Sequence, residues 1–192
     1  NFNTSAVTDM SSMFNGCYIF NQSVSNFNTE KVTTMIRMFK GCPFFNQPVS
    51  NFNTTAVTDM SSMFDFCYYF NQSVSNFNTE KVTTMSYMFY QCGTFNQSVS
   101  NFNTKKVTDM SSMFNGCSAF NQPLSKFDNL THFECWYFNQ AVSKFDNLTH
   151  FICFRFDQPI SNFGDLKHFQ CSNFNQPVSN FGNLTHFECL DF

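Results

Sequence analysis

The stretch FNQPLSKFDNLTHFEC, Phe120 to Cys135, decides how this chain is read, because the period of the sequence changes there. Up to it, Phe-Asn-Gln recurs every 25 residues, at Phe20, Phe45, Phe70, Phe95 and Phe120. Beyond it the motif recurs every 18 residues, at Phe138, Phe156 (as Phe-Asp-Gln) and Phe174, and Phe192 falls on the next step. A second Phe column crosses the change uninterrupted, through Phe27, Phe52, Phe77, Phe102, Phe127, Phe145, Phe163 and Phe181. So does cysteine: Cys17, Cys42, Cys67, Cys92, Cys117, Cys135, Cys153, Cys171 and Cys189 each precede a first-column Phe by three residues. Self-similarity at a fixed period marks a solenoid in which each unit is one coil. The stretch carries no Gly/Ser run, so it reads as a change of cross-section and not as a linker.

Alignment of the two units locates the seven residues that are lost. In a long unit Phe102 leads to Val107, Met110 and Cys117; in a short unit Phe127 leads to Leu130, Phe133 and Cys135. Two residues leave the turn before Val/Leu, and five leave the segment SSMFNG ahead of Cys117. That segment carries an extra pair, Met113-Phe114, which reads as one helical or 3₁₀ turn tucked into the core. In HFEC, Phe133 and Cys135 lie two apart and face inward while His132 and Glu134 face out, the period of a strand. VTDM is its long-unit equivalent, and Asn-Phe-Asn-Thr and Lys-Phe-Asp-Asn read as turns. Each coil then supplies one or two short parallel strands stacked about 4.8 Å apart, and the rod is about 40–45 Å long.

The expectation is a mainly β fold: one continuous solenoid over residues 1–192, with 25-residue coils over 1–126 and 18-residue coils over 127–192. About nine coils result, five long and four short. The chain opens in mid-motif (NFNT) and closes in mid-motif (FECLDF), as a fragment of a longer protein would. Outward positions support stacking: Asp9, Thr34, Asp59, Thr84 and Asp109 put aspartate in alternate coils, which separates like charges.

Bulk properties exclude some functions. The net charge is −3 and only 12% of the 192 residues are charged, so no basic stripe exists to neutralise nucleic-acid phosphates. No apolar run approaches the roughly 18 residues that span a bilayer. Phe dominates with 30 copies against one Trp, as when one residue fills the same slot repeatedly.

The long unit, VTDMSSMFNGCSAFNQPLSKF at Val107 to Phe127, resembles the BspA-like leucine-rich repeat family in its Mycoplasma-type surface-protein variant, over residues 1–126. The short unit, LTHFECWYFNQAVSKFDN, resembles FNIP repeats, although the usual Leu-Pro before the strand is absent. The resemblance implies a right-handed, leucine-rich-repeat-like solenoid that binds partners over a broad surface and lacks catalysis. It also implies a setting in surface proteins of bacteria and protists or in large DNA viruses.

The cysteines admit disulfide, metal or inert readings. No C-x-x-C spacing signals zinc. Stacked Cα atoms about 4.8 Å apart fall in the disulfide range, yet parallel side chains point the same way and nine is odd. An inert core ladder, made under reducing conditions, is expected, together with the Phe column from Phe20 to Phe174. His132, His150, His168 and His186 form a candidate surface column. It would chelate a metal or act as a pH-sensitive strip, though copying one His also explains the spacing. The Asn-x-Ser/Thr sequons at Asn3, Asn21, Asn53, Asn71, Asn96, Asn129, Asn147 and Asn183 are by-products of repetition.

A catalytic site needs residues that occur once in positioned roles. The singular features, Trp136, Arg37 and Arg155, do not make one, so no catalytic, cofactor or metal residues are expected. The reading is a non-catalytic structural or interaction module with protein partners: capsid proteins, host-surface proteins or end-to-end copies of itself. A virion component assembled in the cytoplasm of a large-virus host leads; a cell-surface adhesin is the rival. Ice binding ranks last, because the Thr columns are single and broken by Lys167.

Overall fold

The computed structural model describes residues 2–124, 127, 130–142, 147–160, 165–177 and 182–190. Within them the chain is a β-solenoid with no helix. Its regular part is a four-stranded parallel sheet of β1 (His132–Cys135), β2 (His150–Cys153), β3 (His168–Ser172) and β4 (His186–Leu190), in that spatial order. The register advances by one short unit per strand: His132 faces His150, which faces His168, which faces His186. Phe133 and Cys135 are buried while His132 and Glu134 point outward, as the period-two reading requires.

The long coils depart from the sequence expectation. VTDM and its copies make only isolated parallel bridges, Asp9 to Thr34, Thr34 to Asp59, Asp59 to Thr84 and Thr84 to Asp109. The segment after each bridge is neither helical nor 3₁₀. It is a run of β-turns whose amides alternate in direction. In the third coil Met60, Ser62, Phe64 and Phe66 donate N–H to the next coil, at Thr84, Ser86, Met88 and Tyr90, while Met63, Asp65 and Cys67 close turns on Met60, Ser62 and Phe64. A helix would direct every amide back along its own chain. Here left-handed residues, Ser62 at φ 55° and Phe66 at φ 58°, break that run and turn every second amide to the neighbouring coil.

One buried cluster runs from Met10 to Phe174. In the long coils it contains two parallel ring stacks. Phe39, Phe64 and Phe89 follow one another at 5.7 Å, and Phe45, Phe70 and Phe95 at 6.0 and 6.1 Å. Within a coil the stacks touch face to face, as with Phe64 and Phe70 at 4.1 Å. Offset stacks of this kind add about 0.5–1.5 kcal/mol per pair beyond burial. At the period change the first stack passes from Phe114 to Phe133, tilted by 55°, while the second continues from Phe120 to Phe138 at 6.3 Å. In the short coils Phe133 and Phe138 meet edge to face, at 4.8 Å and 65°. A ring supplied by a strand in place of a turn is rotated against its neighbour.

Of the second Phe column, Phe52, Phe77, Phe102 and Phe127 are buried; Phe145, Phe163 and Phe181 lie outside the described residues, as does the closing Phe192.

Candidate functional site

The Phe-Asn-Gln motif is explained by what its Asn accepts. Oδ1 of Asn21, Asn46, Asn71, Asn96 and Asn121 each takes two hydrogen bonds from the following coil, from the N–H at the equivalent position and from Nε2 of the adjacent Gln. Asp157 fills the same place with a carboxylate, because only an acceptor is used. The N–H of Asn175 and the Gln176 amide hold its acid below the ordinary range. A second column is made by buried threonines: Thr54 Oγ1 donates to the Asn78 carbonyl and accepts the Asn78 N–H.

The cysteine ladder is a hydrogen-bonded one. Sγ of Cys42, Cys67, Cys92 and Cys117 donates to the carbonyls of Phe14, Phe39, Phe64 and Phe89 in the preceding coil, at 2.8 to 3.0 Å. Cys135 donates to Cys117 and Phe120, Cys153 to Phe138, and Cys171 to Phe156. All nine thiols are free. Burial drives the pKa up to about 11 for Cys42, about 12 for Cys135 and about 11 for Cys171, and well above the ordinary range for Cys67, Cys92 and Cys117. Cys153 shifts upward for the same reason.

The ladder is incomplete at its ends. Cys17 is exposed, Cys189 is half-buried and Phe20 is only partly buried, because the described residues pack no coil on their outer sides. Phe45, Phe70, Phe95, Phe120, Phe138, Phe156 and Phe174 are fully buried.

The four histidines stack outward in a single column. Ring centroids lie 4.3 Å apart for His132 and His150, 5.6 Å for His150 and His168, and 4.3 Å for His168 and His186. Nδ1 of His132 and of His150 pair with the Thr131 and Thr149 hydroxyls, and His186 approaches Glu188 at 3.7 Å. The pKa of His150 is lowered, first by desolvation and then by His132, His168 and Lys167. Among the described residues no group of three or more His, Cys, Asp or Glu is arranged to hold a metal ion. Among the described residues no helix is long and apolar enough to cross a membrane.

The surface carries a feature that reading by columns passes over. Tyr18, Tyr68, Tyr69, Tyr87, Trp136 and Tyr137 are exposed, and each lies within five residues of a ladder cysteine. Tyr18 meets Phe44 edge to face at 5.5 Å, Phe44 stacks on Tyr69 at 5.7 Å, and Phe66 meets Tyr90 at 5.4 Å. Further along, Trp136 packs on Phe154 at 5.3 Å, and Arg155 lies over the Tyr137 ring at 5.0 Å. These residues occupy positions that differ from coil to coil: after Cys come Tyr-Ile, Pro-Phe, Tyr-Tyr, Gly-Thr, Ser-Ala, Trp-Tyr and Phe-Arg. A groove of about 580 Å³ runs among Tyr18, Gly41, Pro43, Phe66, Tyr68 and Gln91. It shares Tyr68 and Gln91 with a smaller hollow of about 160 Å³ that ends at Trp136. The usable signal in the sequence was the segregation of amphipathic aromatics away from a core built of Phe. A polar depression of about 540 Å³ lies elsewhere, between Thr108, Thr131, Thr149, Asn147, Asp165 and Lys167.

No curated protein and no solved structure matches the chain. Residues 1–92, the greater part of the long-coil region, match the family described as Mycoplasma protein of unknown function, DUF285.

Proposed function

We propose that the protein is a non-catalytic interaction module: a solenoid whose repeated side chains hold coils together and whose non-repeated side chains meet other proteins. The observation that carries this reading is the division of labour among side chains. Phe, Cys, Asn and Thr recur in every long coil as core or ladder, whereas the exposed Tyr and Trp residues vary from coil to coil. Tyr and Trp are the residues that interfaces favour, since they bury large area while keeping a polar handle. Thiols held neutral by burial fit a scaffold assembled under reducing conditions and are poor nucleophiles.

Within this reading the protein is a virion component, capsid-associated or in a surface fibre, assembled in the cytoplasm of its host. The second reading, a cell-surface adhesin, rests on the resemblance of the long unit to Mycoplasma-type surface-protein repeats; the Mycoplasma family that residues 1–92 match is of unknown function. Mass spectrometry of purified particles and of surface-labelled cells separates the two. Peptides of this chain in the particles support the virion role. Their absence there, with recovery from the labelled cell surface, contradicts it and leaves the adhesin.

A further inference from the structure

We propose that Asn115 is a site of spontaneous deamidation, and that its conversion to a carboxylate loosens the joint between the long and short coils. The inference is independent of the interaction-module reading.

Two stretches of the chain are identical. Val7 to Cys17 and Val107 to Cys117 both read VTDMSSMFNGC, so Asn15-Gly16 and Asn115-Gly116 share one intrinsic chemistry. They also fold alike. Asn15 and Asn115 close turns on Ser12 and Ser112, and Cys17 and Cys117 close turns on Phe14 and Phe114. Gly16 and Gly116 are both left-handed, at φ 74° and 76°. What differs is the coil that follows.

In the first four long coils the residue before Cys donates its N–H to the next coil. Gly16 bonds Lys40, Gly41 bonds Asp65, Phe66 bonds Tyr90 and Gln91 bonds Asn115, at 2.7 to 2.8 Å. Gly116 has no such acceptor among the described residues, because the short coil that follows lacks the segment that would supply it. Deamidation begins when the backbone nitrogen after Asn gives up its proton and attacks the side-chain carbon. A carbonyl that accepts the N–H holds that proton in place, so Gly16 is restrained and Gly116 is not. Glycine is also required at 116, since its φ favours glycine and an added Cβ would come within 2.4 Å of Gln91 Nε2. Without a side chain there, nothing crowds closure of the ring.

The Gly116 nitrogen forms a bond to Asn115 Cγ, giving a cyclic imide. The Cγ–Nδ2 bond breaks, and Nδ2 leaves as ammonia with the proton that the Gly116 nitrogen gave up. Water then opens the imide at either carbonyl, leaving aspartate or isoaspartate. In the starting structure Nδ2 donates to Glu134 Oε2 at 2.6 Å, so a carboxyl group stands beside the leaving nitrogen to relay its proton. Glu134 belongs to β1, the first strand of the short coils, so this contact bridges the change of period. After conversion the same contact sets two carboxylates against each other, and like charges that share a site repel.

The test holds the intact chain in warm neutral buffer and, separately, in denaturant. The peptides carrying Asn15 and Asn115, told apart by Tyr18-Ile19 and Ser118-Ala119, are followed over time by mass and by isoaspartate content. In the native chain Asn115 is expected to convert several-fold faster than Asn15, although Asn15 is the more exposed of the two. In denaturant the two should convert alike. Native conversion of Asn15 as fast as that of Asn115 would overturn the site, as would an Asn115 that converts only in denaturant. Unequal rates in denaturant would place the difference in the sequence and overturn it as well. Asn115→Asp, made directly, should melt at a lower temperature than Asn15→Asp at neutral pH. Equal melting temperatures would overturn the loosened joint.

Discussion

Oδ1 of Asn71 accepts two hydrogen bonds from the next coil, the N–H of Asn96 and Nε2 of Gln97, both at 3.0 Å. This pair of contacts, repeated along the rod, is why Phe-Asn-Gln recurs. Removing the acceptor leaves two partly buried donors without a partner, a loss of about 1–3 kcal/mol. Asn71→Ala should therefore lower the unfolding free energy by that amount in urea titration. Asn71→Asp should cost less at neutral pH, because Asp157 already serves as an acceptor in the same role. No loss in Asn71→Ala would show that the contact contributes little, and equal losses in the two variants that a carboxylate does not replace the amide oxygen there.

Thiol accessibility follows the ladder. Cys17 is exposed and should react with a disulfide reagent within the mixing time, whereas Cys67, Cys92 and Cys117 are buried, donate hydrogen bonds and have raised pKa values. Only the thiolate reacts. Those three should remain unmodified until the chain is unfolded, as peptide mapping after timed labelling would report. Their rapid modification in the native chain would contradict the ladder.

Phe66 holds a conformation that glycine adopts without strain. Phe66→Gly is expected to raise stability, by up to about 1 kcal/mol once the added chain entropy of glycine is subtracted. Chemical denaturation measures it. A loss of more than about 1 kcal/mol would mean that Phe66 packs for the fold and not for the groove.

The histidine column makes the short coils sensitive to acid. The folded-state pKa of His150 lies below its ordinary value of 6.5, so the unfolded chain binds its proton more readily. The stability is present in full above pH 6.5 and is lost as pH falls through that value toward the depressed one. His132, His168 and Lys167 disfavour the charge. Glu134 works in the opposite direction, because burial raises its pKa and acid relieves that cost. The net expectation is a lower melting temperature at pH 5 than at pH 7.5, with the difference reduced in His150→Asn. No difference between the two pH values would sink it.

Much of the architecture was legible because duplication writes structure into columns. Cys42 to Cys171, Phe45 to Phe174 and the four histidines could be assigned to inside and outside by counting alone. The SSMFNG turn was not legible. A Met-Phe pair in this segment is equally compatible with turns, and what decides between them is a left-handed serine, Ser62 in the third coil and Ser112 in the fifth, with the Ser62 and Phe64 amides turned to the neighbouring coil. Serine gives no warning of that conformation, whereas Gly116 two turns on does. The aromatic strip was missed for the converse reason. Tyr18, Pro43, Tyr68 and Trp136 differ from coil to coil, so a search for repetition sets them aside, and only their adjacency in space makes them a surface.

The central structural claim is that the coils are joined across the change of period as they are within each part. The N–H of Asn96 bonds Asn71 Oδ1 at 3.0 Å within the long coils, and the N–H of Asn139 bonds Asn121 Oδ1 at 2.9 Å across the junction. Native-state hydrogen exchange of these two amides is the most direct test. Protection of Asn139 within about tenfold of Asn96 is what a continuous rod predicts. Exchange of Asn139 at the rate of an open chain, with Asn96 still protected, would contradict it and make Phe120 to Cys135 a hinge between two bodies.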